Sequence, residues 1–132
     1  MDDPPECVKQ LKEKVRSADA ILFATPEYNF SVPGMLKNAI DWVSRANREN
    51  LWQGKPVAIM SASTGMIGGE RAQLHLRQSF VYLNMHAVNK PEVIVTFAAQ
   101  KIDENGNVID DHTTQKIREL LVALIELTKK LR

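Results

Sequence analysis

The chain has 132 residues, 44% of them hydrophobic, with 17 basic against 16 acidic residues and a formal net charge of +1. That length is one domain's worth, enough for a core without staples, and the balanced charge disfavours nucleic acid as a partner. The single cysteine, Cys7, has no intrachain partner and gives no reason to invoke an oxidising compartment.

The opening Met1-Asp2-Asp3-Pro4-Pro5-Glu6 is acidic and prolyl, unlike a signal or transit peptide, and no apolar run approaches a membrane span. A cytoplasmic location with no membrane partner is the expectation. Asp3-Pro4-Pro5-Glu6 reads as a helix start with Asp3 as N-cap, and Val8, Leu11 and Val15 give an apolar stripe ending near Ser17. Ala20 to Thr25 is a short apolar run bounded by Asp19 and Pro26, the pattern of a strand buried on both faces. Pro26 cannot continue a central strand, whereas Pro33-Gly34 fits a helix entry, after which Leu36, Ile40 and Val43 recur at helical spacing. The helix fades between Asn47 and Asn50. The loop Glu27 to Ser31 therefore stands at the carboxyl end of a strand, where open α/β sheets hold their ligands.

Gly54-Lys55-Pro56 is a turn before a second buried strand, Val57 to Met60. Its exit, Ser61 to Gly69, is small, polar and glycine-rich, and leads into a helix from Glu70 to Leu83. A third strand lies within Ala87 to Val95, interrupted at Asn89-Lys90-Pro91. Asp103 to Asn107 is a turn around Asn105-Gly106, and the last helix runs from about Thr113 with Ile117, Leu120, Leu121, Leu124, Thr128 and Leu131 on one side. Helices alternating with buried strands predict an α/β fold, a parallel sheet with helices on both faces.

The segment Pro26-Glu27-Tyr28-Asn29-x-Ser31-x-Pro33-Gly34-x-Leu36-Lys37-Asn38-x-Ile40-Asp41-Trp42 resembles the signature of the NADPH-dependent FMN reductase family, flavodoxin-like enzymes that reduce flavins, quinones, azo compounds or chromate. Every fixed position of that pattern is filled. The resemblance extends through Gly54 to Ile59, Gly68 to Gln73 and Pro91-Glu92-Val93 to the C-terminal helix, across essentially all 132 residues.

The resemblance implies a single, incomplete flavodoxin-like domain over residues 1–132, a three-layer α/β/α parallel sheet that lacks strands 1 and 2 and the phosphate-wrapping loop between them. It implies FMN as cofactor and NAD(P)H as hydride donor, with flavin, quinone, azo or chromate-type acceptors. By the same resemblance Pro26, Glu27, Tyr28 and Asn29 contact the isoalloxazine and ribityl parts of FMN, and Ser63, Thr64 and Gly65 form a second flavin wall. Read without it, Tyr28 caps the core, Asn29 makes a turn and Ser63 to Gly65 is a tight loop. A homodimer or homotetramer follows too, with Arg71 at an interface or substrate pocket, although a solvated face is the simpler reading for any one such cation. His75, His86 and His112 lack metal-ligand spacing and no catalytic triad pattern stands out, so neither a metal nor a catalytic side chain is expected. The rival is a non-enzymatic flavodoxin-like fragment or interaction subunit that has lost FMN phosphate binding.

Overall fold

A computed structural model describes residues 2–132. Helix α1 (Glu6–Ser17) begins two residues later than an Asp3 cap would place it: Pro5 is the N-cap, its carbonyl accepting from the Val8 and Lys9 amides, while the Asp3 carboxylate takes the Lys9 ammonium at 2.9 Å. The buried face of α1 carries Val8 and Val15, and also Lys12, which is 3% exposed. The Lys12 ammonium donates to the Ala46 carbonyl and lies 3.6 Å from the Glu49 carboxylate. A cation there meets the negative pole at the end of α2 (Gly34–Arg45), the placement that favours it.

Strand β1 (Ile21–Thr25) runs parallel to β2 (Pro56–Ala62), with Ile21 beside Val57 and Thr25 beside Ser61. On its other side β2 pairs in parallel with β3 (His86–Ala87) and then β4 (Val93–Val95), two halves of one rank split where Pro91 has no N–H for the ladder. Strand β2 is thus the central strand. Helix α3 (Glu70–Leu83) has the bounds that the sequence predicts. Helix α4 (Asp111–Lys130) starts earlier than Thr113, because the Asp110 carboxylate caps it by accepting from the Thr113 amide at 2.8 Å.

Alternation along β2 divides the core. Val57 and Ile59 pack with Phe23, Ile40, Val43, Leu76 and Phe80 under α1, α2 and α3. Phe23 sits 5.2 Å from Phe80 and 5.8 Å from Trp52 between ring centroids, and the Trp52 indole donates to the Ile40 carbonyl at 2.9 Å. On the opposite face Ala58, Val93 and Val95 pack against Leu120 and Leu124 of α4. The architecture is therefore the α/β/α arrangement with a parallel sheet, flavodoxin-like.

Strand β1 departs from its expected burial on both faces. Phe23 and Thr25 are buried, but Leu22 is 37% exposed and Ala24 is exposed as well. The reason is that α4 lies over β2 and β4 and stops short of β1. Among the described residues no strand pairs with the outer edge of β1, and no helix is long and apolar enough to cross a membrane.

Candidate functional site

The pairing of Thr25 with Ser61 brings the exits of β1 and β2 to the same end of the sheet. Both predicted walls, Pro26 to Asn29 and Ser63 to Gly65, consequently lie at the carboxyl rim. The first begins with Thr25, whose hydroxyl donates to the Pro26 carbonyl at 2.8 Å. It then folds back in a four-residue turn closed by two hydrogen bonds of 3.0 Å, Tyr28 N–H to Ser31 C=O and Ser31 N–H to Tyr28 C=O. Asn29 (φ 49°) and Phe30 (φ 65°) occupy the left-handed region at its centre, the pattern of a type I′ turn. Tyr28 and Phe30 are 61% and 66% exposed; the Tyr28 ring stands open to a ligand, while one face of Phe30 is covered by Arg71.

Glu27 behaves differently from its neighbours. Its side chain is only 10% exposed and points to the start of α3, accepting from the Ala72 amide at 3.1 Å and from Arg71 at 3.3 Å. A carboxylate at a helix N-terminus satisfies a free N–H and meets the positive pole. The Glu27 carboxylate therefore ties the first wall to α3, whose amino end is already occupied by protein.

The second wall is shaped by hydroxyls and glycines. Ser63 Oγ accepts the Gly68 amide at 2.9 Å, and Ser61 Oγ donates to the Gly68 carbonyl at 2.6 Å. Gln73 reaches from α3 to donate to Ser61 Oγ at 2.7 Å and to the Val93 carbonyl at 2.8 Å. The backbone approaches closely here: a Cβ on Gly68 (φ 66°) would stand 2.5 Å from Ile94 Cγ2, and one on Gly69 (φ 86°) 2.7 Å from Ser61 Cβ. Thr64 and Gly65 are exposed above this support.

A third element joins them that sequence reasoning did not single out. After β4, Phe97 (φ 50°, 45% exposed) donates its amide to Gly65 C=O at 2.9 Å, and the Ala98 amide donates to Ser63 C=O at 2.9 Å. An aromatic residue after a strand is a weak signal alone. Beside these exits lies an apolar cavity of about 360 Å³, bounded by Thr25, Pro26, Met60, Val95, Ile102 and Ile117. His75, read from sequence as an ordinary helix residue, lies with Nδ1 2.8 Å from Ser31 Oγ. Arg71 sits over the Phe30 ring at 3.9 Å from its centroid.

The residues present suit a planar ring system better than its phosphate. An exposed Tyr28 ring, the exposed Asn29 and an apolar cavity beside the strand exits are what a planar ring would need, whereas the nearby Arg71 is already engaged by Glu27 and Phe30.

Comparison with known proteins bears on the fold and the family. A relative from Pseudomonas aeruginosa, an NAD(P)H-dependent FMN reductase, is 48% identical over 128 residues, which are 97% of this chain and 69% of that protein. An NADPH:quinone oxidoreductase from Arabidopsis thaliana is 45% identical over 129 residues, covering 96% of this chain and 64% of its own length. Among solved structures, the flavoenzyme NAD(P)H:(acceptor) oxidoreductase FerB from Paracoccus denitrificans superposes with a TM-score of 0.87 at 37% identity, over 97% of this chain and 70% of that one. The chain thus spans about two thirds of the length of these relatives. Residues 1–100 match the family model described as NADPH-dependent FMN reductase, and with two strand exits, one glycine-backed, converging on an open aromatic rim, the chain belongs to that family of oxidoreductases.

Proposed function

We propose that this chain carries the ring-side half of an FMN site and serves an NAD(P)H-dependent reductase whose acceptors are quinones, with free flavins, azo compounds and chromate as further candidates. The observation that best supports this is the convergence of the Tyr28–Ser31 turn and the Ser63–Gly65 loop at one end of a parallel sheet, with Tyr28 and Phe30 exposed. Relatives named for quinone reduction favour that acceptor class. FMN held there would supply the redox chemistry between NAD(P)H and the second substrate.

The protein's part is to orient and enclose. Tyr28 offers an apolar face and the Asn29 amide a donor and an acceptor for a polar ring edge. Pro26, with its carbonyl fixed by Thr25, and Glu27, with its carboxylate fixed on α3, hold the backbone between β1 and the turn. Ser63 braces its own loop, leaving Thr64 and Gly65 at the surface to line the opposite wall. We place the protein in the cytoplasm and read it as a homodimer or homotetramer. Support for assembly comes from Met35, Val81 and Tyr82, each more than four-fifths exposed on α2 and α3, with Tyr82 lining a groove of about 510 Å³ between those helices.

The test is an FMN titration of the chain, with NAD(P)H oxidation measured in the presence of a quinone. Replacing both Tyr28 and Asn29 by Ala is expected to weaken FMN binding more than tenfold, about 1.4 kcal/mol. An unchanged titration would remove them from the site. The second reading, a flavodoxin-like scaffold or interaction subunit, is favoured by the amino end of α3 being occupied by Glu27. It gains if the chain retains no visible flavin band after gel filtration and oxidises no NAD(P)H.

A further inference from the structure

Helix α3 opens on an acid, Glu70, and receives the Glu27 carboxylate, both suited to its amino end, but one residue there is not. Its amino end carries the positive pole, where acidic residues are favoured and cations are not, yet its second residue is Arg71. That guanidinium donates to Glu27 at 3.3 Å and lies 3.9 Å from the centroid of the Phe30 ring. Phe30 breaks a local rule as well. It holds φ 65° directly after Asn29 at φ 49°, and while asparagine tolerates the left-handed region, a bulky aromatic does not adopt it without support. Its ring is two-thirds exposed, so the turn gains little from burial of that side chain.

Two locally unfavourable choices that meet each other point to a shared purpose. We propose that Arg71 is a positioning residue: stacked on Phe30 and anchored by Glu27, it holds the Tyr28–Ser31 turn in its left-handed form, so that α3 sets the turn before any ligand arrives. Planar stacking and an ion pair made simultaneously are what a guanidinium offers and an ammonium does not. The consequence for cofactor binding rests on the turn belonging to the flavin site; the clasp itself does not.

The closing hydrogen bonds of the turn give a direct readout. Amide hydrogen exchange of the ligand-free 132-residue chain reports Tyr28 and Ser31, whose N–H groups bond each other's carbonyls. Arg71→Met is expected to raise exchange at both by about tenfold, with Val57 and Ile59 in β2 unchanged as a check on folding. Arg71→Lys recovers part of the protection. Phe30→Gly creates Asn-Gly, the sequence that forms this turn unaided, and in that background Arg71→Met has no further effect. Unchanged exchange in Arg71→Met overturns the proposal, as does an equal increase in the Phe30→Gly background. FMN titration of the same variants separates the two readings. Weaker binding in Arg71→Met, restored with the turn by Phe30→Gly, supports both; a loosened turn with unchanged FMN affinity leaves the clasp standing and removes the turn from the flavin site.

Discussion

The two faces of the sheet are built to different degrees of closure. On one, α1, α2 and α3 bury Phe23, Ile40, Trp52, Leu76 and Phe80 in a continuous aromatic and aliphatic cluster. On the other, α4 alone covers β2 and β4 with Leu120 and Leu124, leaving Leu22, Leu121, Val122 and Ile125 between 37% and 54% exposed. The same strands supply both faces, so the difference lies in what is packed on them. Residues of equal hydrophobicity on the two sides therefore differ in how much stability they carry, because burial and the ability of neighbours to collapse decide the outcome.

Cavity formation is the strongest way to probe that contrast. Phe80→Ala, inside the closed face, is expected to cost about 3–5 kcal/mol, read from the urea midpoint at unchanged slope. Leu120→Ala on the α4 face is equally buried at 1–2% exposure for the two positions, but α4 can settle toward the sheet, so the expected cost is near the lower end of the range, about 2–3 kcal/mol. Equal costs would mean that α4 is held as rigidly as the other three helices.

Polar replacement of the open side comes next. Leu121→Gln with Ile125→Lys is expected to change unfolding by no more than about 0.5 kcal/mol while reducing self-association in sedimentation. A large loss of stability would show that this surface is buried against another chain or segment. The unpaired edge of β1 gives the companion expectation: unless covered, it templates association of copies through strand pairing, and a well-behaved monomer in sedimentation would refute this.

The smallest effect is a pH dependence at the start of α4. The Thr113 hydroxyl, and then its amide, hold the Asp110 carboxyl below the usual aspartate range. A folded value below the unfolded one contributes stability that is complete above about pH 4 and is lost as pH falls through the folded value. Asp110→Asn keeps a capping oxygen without the charge, so its stability should decline less steeply than the parent's on acidification, followed by circular dichroism between about pH 5 and 2. Identical slopes would mean that the cap does not titrate with folding.

Local chemistry made much of this legible. Pro33-Gly34 announces α2, and the apolar period of α3 ends where Asn84 turns left-handed. The parallel sheet follows from the alternation of elements. What sequence did not reveal depends on contacts between distant segments. The burial of Lys12 depends on the end of α2 being placed against it. Resemblance puts Glu27 with its neighbours as an FMN contact, and nothing in the sequence says that its carboxylate turns to the Ala72 amide of α3. The one-sided burial of β1 arises because α4 lies elsewhere, which no pattern within Ile21 to Thr25 encodes. Phe30 in a left-handed turn has no propensity signal, since its cause is an arginine 41 positions later.

Gly68 and Gly69 separate two regimes of evolutionary freedom. Any side chain at either would collide with Ile94 or Ser61 and reach into the sheet, whereas a Cβ at Gly65 meets nothing within 4 Å and its neighbours Thr64 and Met66 are exposed. Sterically, the second wall tolerates replacement at Thr64, Gly65 and Met66, while the path of the loop behind them admits no side chain at Gly68 or Gly69. Such a division lets a lineage change what it recognises by small steps, each tolerated by the fold.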